Sequence, residues 1–357
     1  MKYILVDTLN LFFRVRHIAP PGAALHDRLG LSMHMLLAAA NKVAKTEGVD
    51  HVVFALEGGN NWRKDFYPPY KKQRADERQK RTEAEVEEEH LYFEVFNQFI
   101  AYIDQKTNCS VLKVETAEAD DVIARFIALH PEDEHVILSS DSDYYQLINE
   151  KVHIYNGVTK NLITLNGFFE DTGSPVIDKK TMEPKQLGDP KWLLFEKCIR
   201  GDKSDNIFSA YPGARKKGTK NKTGMMEAFA DKDKKGYNWN NLMLQRWTDH
   251  NNEEHKVLDD YERNRNLIDL SAQPQEIKDK VDEEIIIAML MNATKHIPPR
   301  DIAFHFLKFC GQHELIKISQ YPDDMVNWMK KSYGGHILNL SGVEEWTTYK
   351  KLEQNQS

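Results

Sequence analysis

The first half of the chain alternates short strand-like segments with longer helix-like segments, and this alternation limits the possible folds more than any other feature. The strand-like segments are rich in Val and Ile and bounded by polar or turn residues: 3–9, 51–56, 110–115, 135–140 and 152–156. Helical periodicity occurs between them at 31–46, 83–106 and 118–129. Such alternation is typical of a mainly parallel sheet with helices on both faces. We therefore predict an α/β fold.

The second half of the chain has a different pattern. Residues 163–190 are rich in Gly, Pro and Asp and have no clear period, which predicts a boundary there. Helices are predicted beyond it at 190–200, 222–230, 239–248, 253–270, 282–293 and 299–310. We expect an α/β unit over 1–180, a helical subdomain over 181–315 and a C-terminal extension over 316–357. The polar stretch 340–357 is expected to be loosely ordered.

Composition excludes several classes of protein. The 357 residues are 41% hydrophobic and 29% charged, which is ordinary for a soluble globular protein. No apolar run has the roughly 18 residues that a membrane span needs. The cysteines, Cys109, Cys198 and Cys310, lie far apart, which argues against a disulfide framework or a zinc cluster and for a reducing compartment. The apolar N-terminus contains Asp7 and lacks a cleavage site, so a strand is favoured over a signal peptide. We expect a cytoplasmic monomer.

The charges are segregated along the chain. The net charge of −7 taken alone argues against a nucleic-acid partner, but two tracts are basic. Residues 61–81 contain eight Lys and Arg against three acids, and residues 213–222 contain five Lys and Arg with no acid. An exposed charged loop is the ordinary interpretation of such a run. Local basic tracts nevertheless determine phosphate contacts more than the total charge does.

Carboxylates follow one predicted element after another. In open parallel α/β sheets, ligands bind beyond the carboxyl ends of the strands. Five successive elements place acids at that edge. These acids are Asp7, Glu57, Glu118, Asp120, Asp121, Asp141, Asp143, Asp202 and Asp205.

A single acid at a strand end or helix start is usually a cap or a turn former. So many carboxylates at one edge, however, repel one another unless cations neutralise them. Oxygen ligands without histidine suit Mg²⁺ or Mn²⁺ rather than zinc. The pattern therefore predicts a Mg²⁺ site, at which Mn²⁺ is expected to substitute.

Four motifs carry a resemblance to a known family. VDTLNLFFR (6–14), EADD (118–121), SSDSDYYQL (139–147) and GDKSDN (201–206) occur in this order. Together with WRKDF (62–66), YERNRNLIDL (261–270) and PPR (298–300), they resemble the 5′ nuclease, or flap endonuclease, superfamily, and most of all its T-even phage ribonuclease H branch. The resemblance extends to about residue 315 and implies a helix–three-turn–helix-like element that grips duplex DNA.

The resemblance implies two metal ions. Asp7, Glu57, Glu118, Asp120 and Asp141 would hold the ion nearer the reacting phosphate. Asp143, Asp202 and Asp205 would hold the second ion, with Asp141 or Asp120 as a bridge, while Asp121 would support the ligands. Asp7 and Asp141 are thus also expected to be catalytic.

The chain departs from the family in two places. The family usually has Asp where this chain has Glu57, whose side chain is one methylene longer. The sequence therefore leaves open whether Glu57 binds a metal directly, binds it through water or does not bind it. The segment 207–229 is longer and more basic than the usual glycine-rich hairpin, which leaves the family's potassium site open. Gly213 and Gly218 are expected to form the turns and Lys222 to begin the second helix.

The resemblance also implies an arch at about 60–85. Its YKKQR places Lys71 and Arg74 near the scissile phosphate as catalytic groups. Trp62, Tyr67 and Tyr70 are either stacking platforms for an unpaired base or packed aromatics, and packing is the commoner case. The residues expected to contact nucleic acid are Arg63, Lys64, Lys71, Lys72, Arg74, Arg215, Lys216, Lys217, Lys220 and Lys222.

The function implied is a 5′-to-3′ exonuclease with flap endonuclease activity that removes RNA primers or displaced 5′ strands during phage DNA replication. Its partners would be duplex DNA with a 5′ flap, nick or RNA primer, together with a single-strand-binding protein and a sliding clamp. One alternative is a PIN-type ribonuclease, although PIN domains lack the helical half. The other is an inactive structure-specific DNA-binding paralogue, against which the intact carboxylates count.

Overall fold

A computed structural model describes residues 1–14, 22–220 and 222–334. Its main sheet has seven strands in the order β3-β2-β1-β4-β5-β6-β7. The strands β1 to β5 run parallel, and β6 and β7 are antiparallel additions at one edge. The strands are β1 (Lys2–Asp7), β2 (His51–Leu56), β3 (Ser110–Lys113), β4 (Glu134–Leu138), β5 (Val152–Asn156), β6 (Asn161–Thr164) and β7 (Gly167–Glu170).

Helices connect and follow these strands. In the sheet-forming half they are α1 (Thr8–Arg14), α2 (Leu25–Glu47), α3 (Trp62–Phe66), α4 (Lys72–Gln79), α5 (Glu83–Lys106) and α6 (Ala119–Leu129). The later helices are α7 (Pro190–Arg200), α8 (Met225–Ala230), α9 (Tyr237–Met243), α10 (Val257–Ile268), α11 (Gln275–Thr294), α12 (Pro299–Gln312), α13 (Ile316–Ser319) and α14 (Pro322–Met329). A small hairpin of β8 (Arg246–Thr248) and β9 (Glu254–Lys256) precedes α10.

The sheet has a hydrophobic core on each face. Successive side chains of a strand point to opposite faces, so Ile4 and Val6 enter one core while Tyr3 and Leu5 enter the other. The first core includes side chains of α2, α5, α12 and α14, and the second those of α6 and α11. Burial on both faces explains why β1 reads as a continuous apolar run. The predicted α/β class with helices on both faces is confirmed.

Residues 163–190, predicted to be an aperiodic boundary, begin inside the sheet. The hairpin of β6 and β7 pairs Thr164 with Gly167 across a two-residue loop, and it buries Ile163 and Phe168. The loop consists of Leu165 and Asn166, and Gly167 after it has φ +117°, a conformation that favours glycine. The density of turn residues around these short strands obscured their alternation.

The helices after residue 190 divide between two surroundings. Side chains of α7 to α10 form a separate core that includes Phe195, Met225 and Trp239. Helices α11, α12 and α14 return to the two faces of the sheet, and Trp328 on α14 is 2% exposed. The domain boundaries at 180 and 315 therefore stay predictions. The part of the predicted C-terminal extension up to residue 334 packs on the α/β core. Residues 340–357 lie outside the described residues.

Two helix predictions in the second half were too long. Residues 246–248 and 254–256 form the strands β8 and β9 rather than the ends of the helices predicted at 239–248 and 253–270. Helix α8 begins at Met225 and not at Lys222. In the described parts of the chain, no helix combines the length and apolar character that crossing a bilayer requires.

Candidate metal-dependent nuclease site

The site lies at the carboxyl edge of the sheet, where the strand order reverses between β1 and β4. This reversal opens a crevice between neighbouring strands. Asp7 ends β1, and Ser139 follows β4 and donates a hydrogen bond from Oγ to Asp7 Oδ2 at 2.8 Å. The backbone N–H of Asp141 donates in turn to Ser139 Oγ at 3.1 Å. Burial raises the pKa of Asp7 to about 7, Ser139 opposes the shift, and Asp141 adds to it.

A second group of acids follows β4 and α7. Asp141 caps the 3₁₀ turn Ser142–Leu147 by accepting the backbone N–H of Asp143 at 2.9 Å. Lys197, on the last turn of α7, contacts Asp143 and lies 2.7 Å from Asp202. Burial raises the pKa of Asp143, and Lys197 opposes this shift. Asp143 and Asp202, two of the three carboxylates predicted to hold the second metal ion, therefore share one ammonium group.

The EADD motif forms the start of α6 around a buried guanidinium. Arg63, which is 1% exposed, donates to both carboxylate oxygens of Asp121 at 2.7 Å and to Glu118 at 3.1 Å. It also donates from Nε to the carbonyl of Leu267 at 2.9 Å. Burial raises the pKa of Asp120 well above its usual range, and Arg63 opposes this shift. Burial also acts to raise the pKa of Glu118, but Lys71 and Arg63 hold it at about 2.

Arg63 is therefore a correction to the predicted nucleic-acid contacts. Its guanidinium is buried and is used by Asp121, Glu118 and a backbone carbonyl, so no donor faces a ligand. The prediction was wrong because the sequence shows the charge of an arginine but not its burial. Asp121, which is fully buried, accepts the backbone N–H of Glu118 at 3.1 Å, and its role in supporting the metal ligands stays a prediction.

The segment predicted as the arch packs against the acids. The hydroxyl oxygen of Tyr70 lies 2.7 Å from a carboxylate oxygen of Glu118 and 3.0 Å from one of Asp205, so the two carboxylates share its single proton. Lys71 Nζ contacts Glu118 and lies 3.7 Å from Asp205. The backbone of Lys71 has φ +53°, a left-handed conformation that only surrounding contacts can maintain in a non-glycine residue. The backbone N–H of Lys71 donates to the carbonyl of Asp205 at 2.9 Å and supplies one such contact.

The arch segment packs against the GDKSDN turn. Arg74 lies 2.7 Å from Asp205, and Gln73 donates to the backbone carbonyls of Lys203 and Ser204. Burial raises the pKa of Asp205, and Lys71 and Arg74 oppose this shift. Asp205 was predicted to lie with Asp143 and Asp202, but its hydrogen bonds and ion pairs are made with the arch segment.

Glu57 lies at the entrance of the site and is exposed. The loop after it runs along residues 115–117, with the N–H of Gly58 donating to the carbonyl of Ala117 at 2.9 Å. A Cβ at Gly58 would lie 2.2 Å from the carbonyl oxygen of Val114, so only glycine permits this approach. Glu57 is thereby held within electrostatic range of Glu118 and Lys71.

These residues form a site with a capacity for bound cations. Carboxylates from five elements meet there, and the ammonium groups of Lys71 and Lys197 each bridge two of them. Oxygen-only donors of this kind suit hard divalent cations. In the part of the chain that the structure describes, ligand atoms of three residues lie within 4.8 Å of one another in a different group. This group is Asp249, Glu253 and His255, on the β8–β9 hairpin. The predicted acids therefore suit metal ions, because all of them are oxygen donors and they converge on one site. The two lysines lie between these acids.

The basic turn, defined here as residues 213–222, connects α7 to α8. Its predicted phosphate contacts Arg215, Lys216, Lys217, Lys220 and Lys222 are all exposed. Gly218 and Gly224 cross so closely that a Cβ at Gly224 would lie 2.3 Å from the nitrogen of Gly218. The carboxylate of Glu227 accepts the N–H groups of both glycines. Gly218 thus forms a tight turn as expected, and Gly213 also lies in a turn, which the N–H of Ala214 closes by donating to the carbonyl of Tyr211 at 3.0 Å.

Several site residues were not predicted from the sequence. Lys197 and Ser139 contact predicted ligands directly, and Tyr144 is buried within electrostatic range of Asp7, Asp120 and Asp141. The i, i+5 spacing of Lys197 and Asp202 is the one signal that could have indicated Lys197.

The aromatics of the arch segment are packed rather than presented to a base. Trp62 is 6% exposed and Tyr70 is 3% exposed, and Trp62 donates from Nε1 to Asp121 at 3.0 Å. Tyr67 is partly buried against the core that joins this segment to α7 and α10. The packed interpretation is therefore the correct one for Trp62 and Tyr70.

Comparison with known families connects this geometry to an enzyme class. Residues 2–173 match the model of the 5′-3′ exonuclease, N-terminal resolvase-like domain. This part of the chain, slightly less than half of it, is similar to that domain. The matched region comprises β1 to β7 and contains Asp7, Glu118, Asp120, Asp141 and Asp143. Asp202 and Asp205 lie beyond the matched residues.

Curated relatives extend the similarity into the helical half. A flap endonuclease Xni of Pseudoalteromonas translucida is 28% identical over 61% of this chain and 74% of its own length. The ribonuclease H of Enterobacteria phage T4 is 29% identical over 51% of this chain and 55% of its own length. A DNA polymerase I of Chloroflexus aurantiacus is 31% identical over 52% of this chain. The chain spans only 17% of that polymerase and about half of the phage enzyme.

Solved structures share the fold over most of the chain. A T5 5′-exonuclease with bound divalent zinc ions superimposes with a TM-score of 0.56 at 19% identity, over 81% of this chain and 99% of the T5 chain. A T5 flap endonuclease in complex with DNA and metal ions superimposes with a TM-score of 0.52 at 18% identity, over the same shares. These similarities extend the shared fold beyond the exonuclease domain into the helices that follow it.

Proposed function

We propose that this protein is a metal-dependent 5′-to-3′ exonuclease with flap endonuclease activity. It hydrolyses phosphodiesters near the 5′ ends of DNA or RNA–DNA duplexes. The observation that carries the proposal is the convergence of Asp7, Glu118, Asp120, Asp141 and Asp143 at the reversal point of an exonuclease-family sheet. Asp202 and Asp205 join them from the helical half.

Two Mg²⁺ ions are the proposed cofactors, and Mn²⁺ substitutes for them. Asp7, Glu57, Glu118, Asp120 and Asp141 hold one ion, and Asp143, Asp202 and Asp205 hold the other. Bound divalent ions supply a water of lowered pKa as nucleophile and stabilise the leaving oxygen. The donors present fit this role, since all are carboxylates and two ammonium groups already lie between them.

Lys71 and Arg74 act on the phosphate. Both belong to the arch segment and both contact Asp205, so they lie at the border of the acidic site. When the site contains metal, the lysine no longer has to neutralise Glu118 and can pair with a phosphate oxygen. A positive charge at that position stabilises the transition state. Tyr70 fixes the segment through its hydroxyl group, whose proton Glu118 and Asp205 share.

Duplex binding is assigned to exposed basic side chains on two segments. Lys64, Lys72 and Arg74 project from the arch segment, and the basic turn lies between α7 and α8. Contacts of this type are independent of sequence and weaken with salt. The biological role proposed is removal of RNA primers in phage DNA replication, with a single-strand-binding protein and a sliding clamp as partners. Cytoplasmic location and the monomeric state also stay predictions.

The test is a panel of 5′-labelled substrates with a flap, a nick or an RNA primer, together with a single-stranded RNA. Each is incubated with Mg²⁺, with Mn²⁺ and with a chelator, and the products are sized on a gel. We expect metal-dependent cleavage at or near the 5′ end of the duplex substrates. Cleavage of the single-stranded RNA alone would favour the PIN-type ribonuclease. Duplex binding with no cleavage under any metal would favour the inactive paralogue.

Two variants connect the activity to the site. Asp141→Asn and Asp143→Asn should abolish cleavage and leave duplex binding in place, because these acids hold metal rather than nucleic acid. Asp178→Asn is a suitable control, since Asp178 lies in an exposed turn and contacts only local backbone groups. If both site variants keep more than a few per cent of the cleavage rate, the metal assignment is wrong.

A further inference from the structure

The hairpin of β8 and β9 ends in a turn that brings three metal-binding side chains together. Ligand atoms of Asp249, Glu253 and His255 lie within 4.8 Å of one another. Asp249 is fixed in place, because its Oδ1 accepts the backbone N–H groups of Asn251 at 2.9 Å and Glu253 at 2.8 Å. Its other oxygen, Oδ2, accepts the side-chain amide of Asn251 at 3.3 Å and lies 3.9 Å from Nε2 of His255. This cluster lies on a different element from the acids of the nuclease site.

The imidazole of His255 is oriented by a carboxylate behind it. Nδ1 lies 3.0 Å from Asp260 Oδ2, and Arg263 holds the other oxygen of Asp260 at 2.5 Å. A proton on Nδ1 satisfies this hydrogen bond and leaves the lone pair of Nε2 directed at the turn. Histidines that bind metals characteristically donate their second N–H to a carboxylate in this way.

Nε2 of His255 has an unusual environment. It is shielded from solvent and has no hydrogen-bond partner among the residues that the structure describes. Asp249 Oδ2 lies 3.9 Å away, which is too long for a hydrogen bond. A lone pair and a carboxylate oxygen repel each other at this distance unless a cation lies between them. A cation about 2.0–2.2 Å from each atom fits a gap of this size.

The donor set indicates the class of metal. One imidazole nitrogen with two carboxylates suits Zn²⁺, whereas Mg²⁺ and Ca²⁺ prefer oxygen ligands alone. His250 adds a further donor, since its Nδ1 also lies 3.9 Å from Asp249 Oδ2 and its side chain is exposed. The turn therefore offers three ligands and a fourth within reach, which is the number that zinc takes in a structural site.

We propose that Asp249, Glu253 and His255 bind one Zn²⁺ ion that fixes the β8–β9 hairpin. The ion joins the turn to α10 through His255 and Asp260. His255 stacks on Trp247 with ring centroids 4.5 Å apart, and Trp247 donates from Nε1 to the carbonyl of Ala210 at 2.9 Å. Ala210 lies just before the basic turn, so the zinc ion stabilises the side of the helical half on which duplex binding is proposed.

Zinc binding is measured on the full chain carrying Asp141→Asn and Asp143→Asn, which weaken binding at the nuclease site. Equilibrium dialysis against Zn²⁺ and metal analysis give the stoichiometry. His255→Asn and Glu253→Gln, each added to this parent, should lower the zinc content by one ion per chain. Glu254→Gln is the matched control, because Glu254 is the next residue and pairs with Arg246 outside the cluster. It should retain the ion.

A second measurement separates loss of the site from loss of the fold. Zn²⁺ should raise the melting temperature of the parent and of Glu254→Gln, but by much less in His255→Asn and Glu253→Gln. Co²⁺ as a spectroscopic substitute should give the visible absorption of a tetrahedral site only in proteins that contain the cluster. Equal zinc content in all four proteins would overturn the proposal, as would a parent that binds no zinc. In that case His255 serves only as a hydrogen-bond partner of Asp260.

Discussion

Arg63 gives the most direct test of how the acids of the site are supported. Replacing Arg63 by Met keeps an unbranched apolar side chain in place of the arginine stem and removes four hydrogen bonds, two to Asp121, one to Glu118 and one to the carbonyl of Leu267. Asp121 is 0% exposed and Glu118 is 4% exposed, so neither can recover hydration without local unfolding. Removing one partner of a buried ion pair costs about 3–5 kcal/mol.

Arg74→Met is the matched control. Arg74 also contacts a site carboxylate, Asp205 at 2.7 Å, but its own side chain is 50% exposed. Exposed ion pairs contribute about 0–1 kcal/mol because solvent screens them. The two substitutions remove the same chemical group, so the difference between them isolates burial as the cause.

The assay is urea unfolding followed by far-UV circular dichroism, in chelator so that metal ions do not contribute. A third protein, Arg63→Met with Asp121→Asn, removes the uncompensated negative charge and should recover at least half of the lost free energy of unfolding. If Arg63→Met lies within about 1 kcal/mol of the parent, as Arg74→Met should, the buried carboxylates do not depend on Arg63. The electrostatic account of the EADD motif would then be wrong.

Three further predictions concern catalysis, binding and pH. Lys71→Ala should lower the cleavage rate by about 10²-fold with little change in affinity, and an unchanged rate with weaker binding would make Lys71 a plain phosphate contact. Replacing the three lysines at 216, 217 and 220 by Ala should lower the log–log salt slope of duplex affinity by about 2–3 units, whereas an unchanged slope would mean that the basic turn touches no DNA. Burial lowers the pKa of His51 to about 4 and that of His135 to about 3, so between about pH 6.5 and these values the unfolded chain binds protons that the folded chain does not. Lowering the pH from 7 to 5 should therefore cost about 2 kcal/mol of unfolding free energy per histidine, whereas the raised pKa of Asp7 acts in the opposite direction, so the test compares urea titrations at pH 5 and 7 of the parent with those of His135→Phe, which should lose about 2 kcal/mol less on acidification.

The sequence alone determined the parts of this protein that depend on local pattern. Strand and helix periodicity predicted the five parallel strands, and helix α7 was predicted at its observed bounds. The rule that ligands bind beyond the carboxyl ends of parallel strands placed Asp7, Glu118 and Asp141 at one edge of the sheet. Each of these results follows from the spacing of residue types along the chain, and spacing is visible without coordinates.

Only the tertiary structure decided which charges face solvent and which face one another. Arg63 lies in a basic tract, yet it is buried against Asp121, because α3 packs across the start of α6. Lys197 lies 54 residues from Asp143 and nevertheless contacts it. Asp205 pairs with the arch segment rather than with Asp202, since contacts between Lys71 and the GDKSDN turn connect elements 130 residues and more apart. The partner of a charged side chain depends on packing between distant segments, and a local pattern does not contain this information.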